Sequence, residues 1–184
     1  MDDALHTDII KLGRRYDSIC YIDGDFKTTN SILLSNIIND LYDFKKRGTI
    51  LDLGSGQGLP LMTFTRMGFK AYGIEENKKK TKQSIVLMDK ILKEFKWQYN
   101  APEVKCANYF DKNFGESIFK DGQKMSDMDF YYVFAYDAPG DEHLNSVRKL
   151  VKSIAKPSSY FLSISWDYGD PSTELQKVSD IIIS

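Results

Sequence analysis

The chain has 184 residues, 42% hydrophobic and 28% charged, with a formal net charge of −1. That composition fits one soluble globular domain with a real core, and it excludes a global electrostatic attraction to nucleic acid. Two cysteines, Cys20 and Cys106, are too few for a disulfide framework, and His6 and His143 lie too far apart to suggest a metal site.

An acidic N-terminus shows no signal peptide, and no apolar run approaches the roughly 20 residues of a membrane span. The expectation is an intracellular protein, cytoplasmic or nuclear. A first segment, 1–47, reads as helical and substrate-facing, and 48–184 as the core of a single domain. A short helix is expected over 8–16, then an extended piece over 19–22. Thr28, Thr29 and Asn30 can cap a helix whose apolar positions, Leu34, Ile37, Ile38 and Leu41, recur at helical spacing. Lys45, Lys46 and Arg47 suit its C-terminal end.

Ile50 to Leu53 is a short apolar run with the character of a buried strand, followed by Gly54-Ser55-Gly56-Gln57-Gly58. Pro60 is tolerated in the first turn of the next helix, Gly68 stops that helix, and a second strand, Ala71 to Ile74, ends in Glu75. Strand, glycine turn, helix, strand and acid form the first half of a nucleotide-binding α/β unit. Glycines let the backbone approach a ligand, a helix start offers unpaired N–H groups, and a carboxylate at Glu75 can accept both hydroxyls of a ribose. The spacing G-x-G-x-G is not the G-x-G-x-x-G of nicotinamide dinucleotide enzymes.

Asn77 can cap a long helix reaching Phe95, with Ile85, Met88, Leu92 and Phe95 on its buried side. Lys78, Lys79, Lys80 and Lys82 occupy its first turns, where the helix dipole disfavours cations. A third strand is expected over 103–107, and Asn108, Tyr109 and Phe110 follow it. Phe114 to Phe119 suggests a short helix, and Asp129 to Tyr136 is the strongest strand pattern in the chain, ending in Asp137-Ala138-Pro139-Gly140. A helix over 142–155 and a fifth strand over 160–165 come next.

Alternating strands and helices imply a Rossmann-like three-layer α/β sandwich with a mostly parallel sheet, its ligands at the carboxyl ends of the strands. After Trp166 the last apolar run is Ile181 to Ile183. On that pattern the sheet lacks its last antiparallel strand, or the chain is shortened, or a partner chain completes the edge.

Asp52-x-Gly54-x-Gly56-x-Gly58 together with Glu75 resembles motifs I and II of the class I S-adenosylmethionine-dependent methyltransferases. The resemblance implies S-adenosyl-L-methionine as cofactor, with Asp52, Gly54, Ser55, Gly56 and Gly58 around its methionine part and Glu75 on its ribose. Asn108 and Tyr109 stand where the family often carries an acid that binds the adenine amine.

Tyr21-Ile22-Asp23-Gly24-Asp25-Phe26, then a helix and the glycine turn, resembles Dot1-like lysine methyltransferases, with Asp25 in place of a glutamate. That implies an amine acceptor, first of all a protein lysine. From the residues themselves, Tyr136, Phe134, Tyr109 and Phe110 are expected to build a desolvating aromatic channel for the amine, with Asp137 or the Tyr136 hydroxyl as the catalytic group that orients it. Dot1-like proteins carry Asn-Asn-Phe after the fourth strand, whereas this chain has Ala135-Tyr136-Asp137. Asp137-Ala138-Pro139-Gly140 also half-resembles the D/N-P-P-Y/F of enzymes that methylate nucleic-acid amines. A nucleic-acid or small-molecule acceptor, and a catalytically silent subunit of the same fold, are therefore the alternatives. Methyl transfer of this kind needs no metal.

Overall fold

The computed structural model describes residues 3–20, 48–112, 114, 119–135, 142–167 and 170–177. Its first element is helix α1, Asp3–Cys20. β1 is Thr49–Leu53, α2 Leu59–Arg66, β2 Lys70–Glu75, α3 Lys78–Glu94 and β3 Glu103–Cys106. β4 is Phe130–Ala135, α4 Glu142–Ile154, β5 Tyr160–Asp167 and β6 Asp170–Lys177. The six strands form one sheet in the order β3-β2-β1-β4-β5-β6. Every pairing is parallel except β5 with β6. The fold is a Rossmann-like α/β sandwich.

Alternation along each strand divides the core between the two faces. Ile50, Ala71, Phe130, Tyr132 and Leu162 pack with α1, α2 and α3 on one side. Leu51, Tyr72, Tyr131, Val133 and Phe161 pack with α4 and with Phe114, Phe119, Met125 and Met128 on the other. Both faces being covered explains why β1 and β4 are apolar at nearly every position rather than at every second one.

α1 is longer than the expected 8–16, and it carries Ile19 in helix rather than in an extended piece. Leu5, Ile9, Leu12 and Tyr16 recur at helical spacing and are all buried, so one apolar stripe holds the whole helix against the core. Arg66 pairs with Asp8 at 2.8 Å and Arg15 with Glu94 at 3.1 Å, tying α1 to α2 and α3. In α3, Asn77 caps as expected, accepting from the N–H of Lys79 and Lys80. Ile85, expected on the buried side, is 48% exposed. Ser84 takes the inward place in that turn, and the next residue is rotated about 100° outward.

The antiparallel edge strand comes from 170–177, polar in sequence, and not from an apolar run. A strand pinned by pairing along its whole length to β5 does not need the hydrophobic signal that a central strand shows. The expectations on 21–47, Tyr136 to Gly140 and Ile181 to Ile183 lie outside the described residues. No helix among the described residues is long and apolar enough to cross a membrane.

At the amino ends of β1 and β4, Asp129 fastens the sheet. Its carboxylate accepts from Thr49 N at 2.8 Å and from Lys156 Nζ at 2.8 Å. Burial alone would raise this carboxyl, but the hydrogen bonds from Lys156 and Thr49 outweigh it and hold the group below the usual carboxylate range. A depressed carboxyl contributes stability above its unfolded-state pKa, and that contribution is lost as pH falls through the folded-state value. Asp129→Ala should therefore cost about 1–2 kcal/mol in urea unfolding at neutral pH, mostly through the Thr49 amide, because the Lys156 pair is solvent-screened. The difference from the parent should shrink as the measurement moves into acid.

Candidate functional site

β1 delivers its chain into a turn that no ordinary residue could follow. Gly54, Gly56 and Gly58 all have positive φ, and a Cβ on Gly54 (φ 88°) would meet nothing within 4 Å. Open space therefore lies directly over bare backbone at the carboxyl end of β1. On the other side of the turn the packing is tight. A Cβ on Gly73 of β2 would stand 2.6 Å from Ser55 Oγ, so the absence of a side chain there lets the turn settle onto β2.

Two sets of hydrogen bonds hold the turn. Gly54 N and Ser55 N both donate to Ile74 O, at 2.9 and 2.8 Å, extending the β1–β2 ladder past the strand end. The Glu75 carboxylate then accepts from Gly56 N at 3.0 Å and from Asn77 N at 2.8 Å. One side chain thus clamps the glycine turn to the start of α3. A carboxylate has about four acceptor sites, so roughly two remain for a ligand's hydroxyls.

Beneath the turn lies an electrostatic imbalance. Asp52 is 2% exposed, and among the described residues its Oδ2 has no hydrogen-bond partner; Ser55 Oγ, 3% exposed, also has none there. Burial, and after it the charge of Glu75, pushes the Asp52 carboxyl well above the usual carboxylate range. Orphaned acceptors in a core are costly. Two of them flanking the start of an open glycine turn suit polar groups supplied from outside the chain.

Asn108 and Tyr109 follow β3 at the same end of the sheet. Asn108 Oδ1 accepts from Phe110 N at 2.8 Å, so the oxygen half of its amide serves its own turn. Tyr109 is pushed up to about 12, first by burial and then by the charges of Glu76, Glu75 and Asp52, which places it within electrostatic reach of the glycine turn. Its hydroxyl lies 3.1 Å from His143 Nε2 in the first turn of α4. Phe110 packs against both rings and is 45% exposed, completing an aromatic lip. In the sequence His143 is weighed only as a metal ligand, and no spacing pattern links it to Tyr109.

The structure therefore brings Asp52, Gly54, Ser55, Gly56, Gly58 and Glu75 together, with Tyr109 close by. It separates Phe134 from Tyr109: the former packs on the α1–α3 face and the latter on the α4 face, so they do not line one channel. Tyr136 and Asp137 lie outside the described residues. A cleft of about 520 Å³ opens at the opposite, amino end of β2 and β3. Its charged groups are already spent on one another, Asp121 accepting from Tyr72 Oη at 2.6 Å and from Lys70 Nζ at 2.7 Å.

No protein-family model matches the sequence, and no curated protein matches it. Among solved structures, the chain resembles an RNA methyltransferase from Salinibacter ruber in complex with S-adenosyl-L-homocysteine. The TM-score is 0.60 at 16% identity, over 85% of this chain and 96% of that one. It also resembles an S-adenosylmethionine-dependent methyltransferase from Clostridium acetobutylicum. There the TM-score is 0.51 at 14% identity, over 84% of this chain and 56% of that one. At such identities the likeness is one of fold.

Replacing Glu75 by Ala should free the amides of Gly56 and Asn77. Hydrogen exchange at those two N–H groups should accelerate while amides in β4 stay protected, and stability should fall by about 2–4 kcal/mol. Unchanged exchange at Gly56 would mean that the clamp does not form in solution.

Proposed function

We propose that the chain is an S-adenosylmethionine-dependent methyltransferase acting on an amine. One observation carries the reading: an open backbone cradle at Gly54 adjoins orphaned buried acceptors at Asp52 and Ser55 and a preset carboxylate at Glu75. These residues fit the cofactor chemically. A zwitterionic, cationic amino-acid tail needs bare backbone and negative or polar acceptors, and a ribose needs a carboxylate with free acceptor sites. The fold shared with the two bacterial methyltransferases supports the same reading.

In this reading Gly54, Ser55, Gly56 and Gly58 admit the methionine part, Asp52 answers its charge, and Glu75 takes the ribose. Tyr109, with its apolar neighbours, borders the base. When bound, the cofactor supplies an electrophilic methyl group on a sulfonium centre. The chain's own contribution is alignment and exclusion of water. An amine attacks only when neutral, and an apolar surround lowers the pKa of an ammonium. Tyr109, Phe110 and His143 form an aromatic lip on the described side of the mouth, against which an acceptor can pack.

A protein lysine is the acceptor favoured by the resemblance around Tyr21 to Phe26. A second reading, the exocyclic amine of a nucleobase, draws on the exposed Phe110 ring, since a flat exposed aromatic suits base stacking. In either case Tyr136 and Asp137 are the proposed orienting residues.

Calorimetry should show S-adenosylmethionine and S-adenosylhomocysteine binding and NAD not binding. Glu75→Ala should weaken the nucleoside by about tenfold or more, the equivalent of roughly 1.4 kcal/mol. Labelled methyl transfer to separate pools of protein, RNA and small amines, with lysine and base analysis of the product, should identify the acceptor. A chain that binds neither sulfur nucleoside is not this enzyme.

A further inference from the structure

The two carboxyl groups at the mouth are not equivalent. Glu75 accepts two backbone N–H bonds, the hydrogen bonding of a carboxylate. Asp52 is 98% removed from solvent, and one of its oxygens touches no donor. Two neighbouring carboxylates in a low-dielectric surround repel, and the more buried and less fully hydrogen-bonded of the two is the one whose charge is disfavoured. Of the two, Asp52 is the carboxyl whose surroundings favour the neutral form. Burial and the Glu75 charge both push its carboxyl upward, in agreement with that geometry.

Among the described residues, no hydrogen bond or ion pair joins Asp52 to a cation. Its neighbour in register on β4 is Tyr132 and on β2 Gly73. Glu76 follows Glu75, and Tyr109 beyond β3 stays a neutral phenol. On α3, the helix that follows Glu75, the first cations are Lys78 and Lys79, and both are exposed to solvent. His143 on α4 reaches the pocket only through the Tyr109 hydroxyl.

We propose that Asp52 holds a proton before the methyl donor docks and releases it when the cationic donor arrives, so that this residue lets the site distinguish charged donor from neutral spent product. The inference rests on the cofactor reading above. A sulfonium and an ammonium placed over the cradle favour the carboxylate form of Asp52; a thioether in place of the sulfonium removes one of those charges. The proton leaves to solvent, and no bond to carbon changes. By linkage, affinity for the cationic ligand rises with pH across the window between the donor-bound and donor-free pKa values of Asp52, by up to about tenfold per pH unit. Affinity for the neutral product rises less. Spent product is then displaced by fresh donor more readily as pH climbs.

The test is calorimetry in pairs of buffers with different ionisation enthalpies, which counts protons exchanged on binding. The probes are S-adenosylhomocysteine and sinefungin, in which an amine-bearing carbon replaces the methylsulfonium and keeps a positive charge there. Between about pH 5 and 8, sinefungin should release more protons than S-adenosylhomocysteine, the difference approaching about one per site. Asp52→Asn should abolish the difference, whereas Ser55→Ala and His143→Gln should keep it. Equal proton counts for the two probes at every pH would overturn the inference and leave the cofactor reading standing. Loss of the difference in His143→Gln would also overturn it, because the proton would then belong to the imidazole. Binding of neither probe would overturn both. The wild-type comparison decides the matter even where Asp52→Asn fails to fold.

Discussion

The glutamate at the end of β2 is the contact on which the functional end of this protein depends. A glycine-rich turn has little reason to adopt one shape, since each glycine gives up more conformational freedom than any other residue. Glu75 selects the shape by accepting from Gly56 on one side and Asn77 on the other. Asn77 in turn caps α3, so turn, strand end and helix start are locked through two adjacent side chains. The clamp also leaves a carboxylate at the mouth with acceptor capacity in hand, which is how a structural device becomes a binding one.

The rest of the sandwich serves to bring that clamp and its surroundings together. Both faces of the sheet are dry, one under α1, α2 and α3 and the other under α4 and the segment around Met125. That dryness gives the carboxyl pair its character. In water, Asp52 and Glu75 would be two ordinary acids; under a covered sheet they differ, Glu75 accepting two backbone N–H bonds and Asp52 buried with its Oδ2 unpartnered among the described residues. The same dryness makes an aromatic lip of Tyr109, Phe110 and His143 useful to an amine that must react uncharged.

Several features of the site could be read from the residues because they are local. The run from Ile50 through Gly58 to Glu75 carries strand, turn, helix and acid in order, each written by short-range rules of propensity and glycine conformation. The cap at Asn77 and the stop at Gly68 belong to the same class. Where the reading failed, the cause was long-range. Ile85 fits the helical period but loses the inward position to Ser84, because the orientation of α3 is set by the sheet it lies on. The strand over 170–177 has no hydrophobic signature, because edge pairing to β5 makes it. The full length of α1 depends on a docking surface that its own sequence does not show.

What the sequence by itself determined was the α/β alternation, the glycine turn and the identity of the acid that faces it. These rest on backbone geometry and helix capping, which act within a few residues. What only the tertiary structure decided was the company those residues keep. Gly73 yields to Ser55, Asp52 is buried with its Oδ2 unpartnered among the described residues, and Tyr109 meets His143 from 34 residues away. Such contacts are made by the stacking of layers and by the order in which strands join the sheet. They are therefore invisible until the chain has buried both faces.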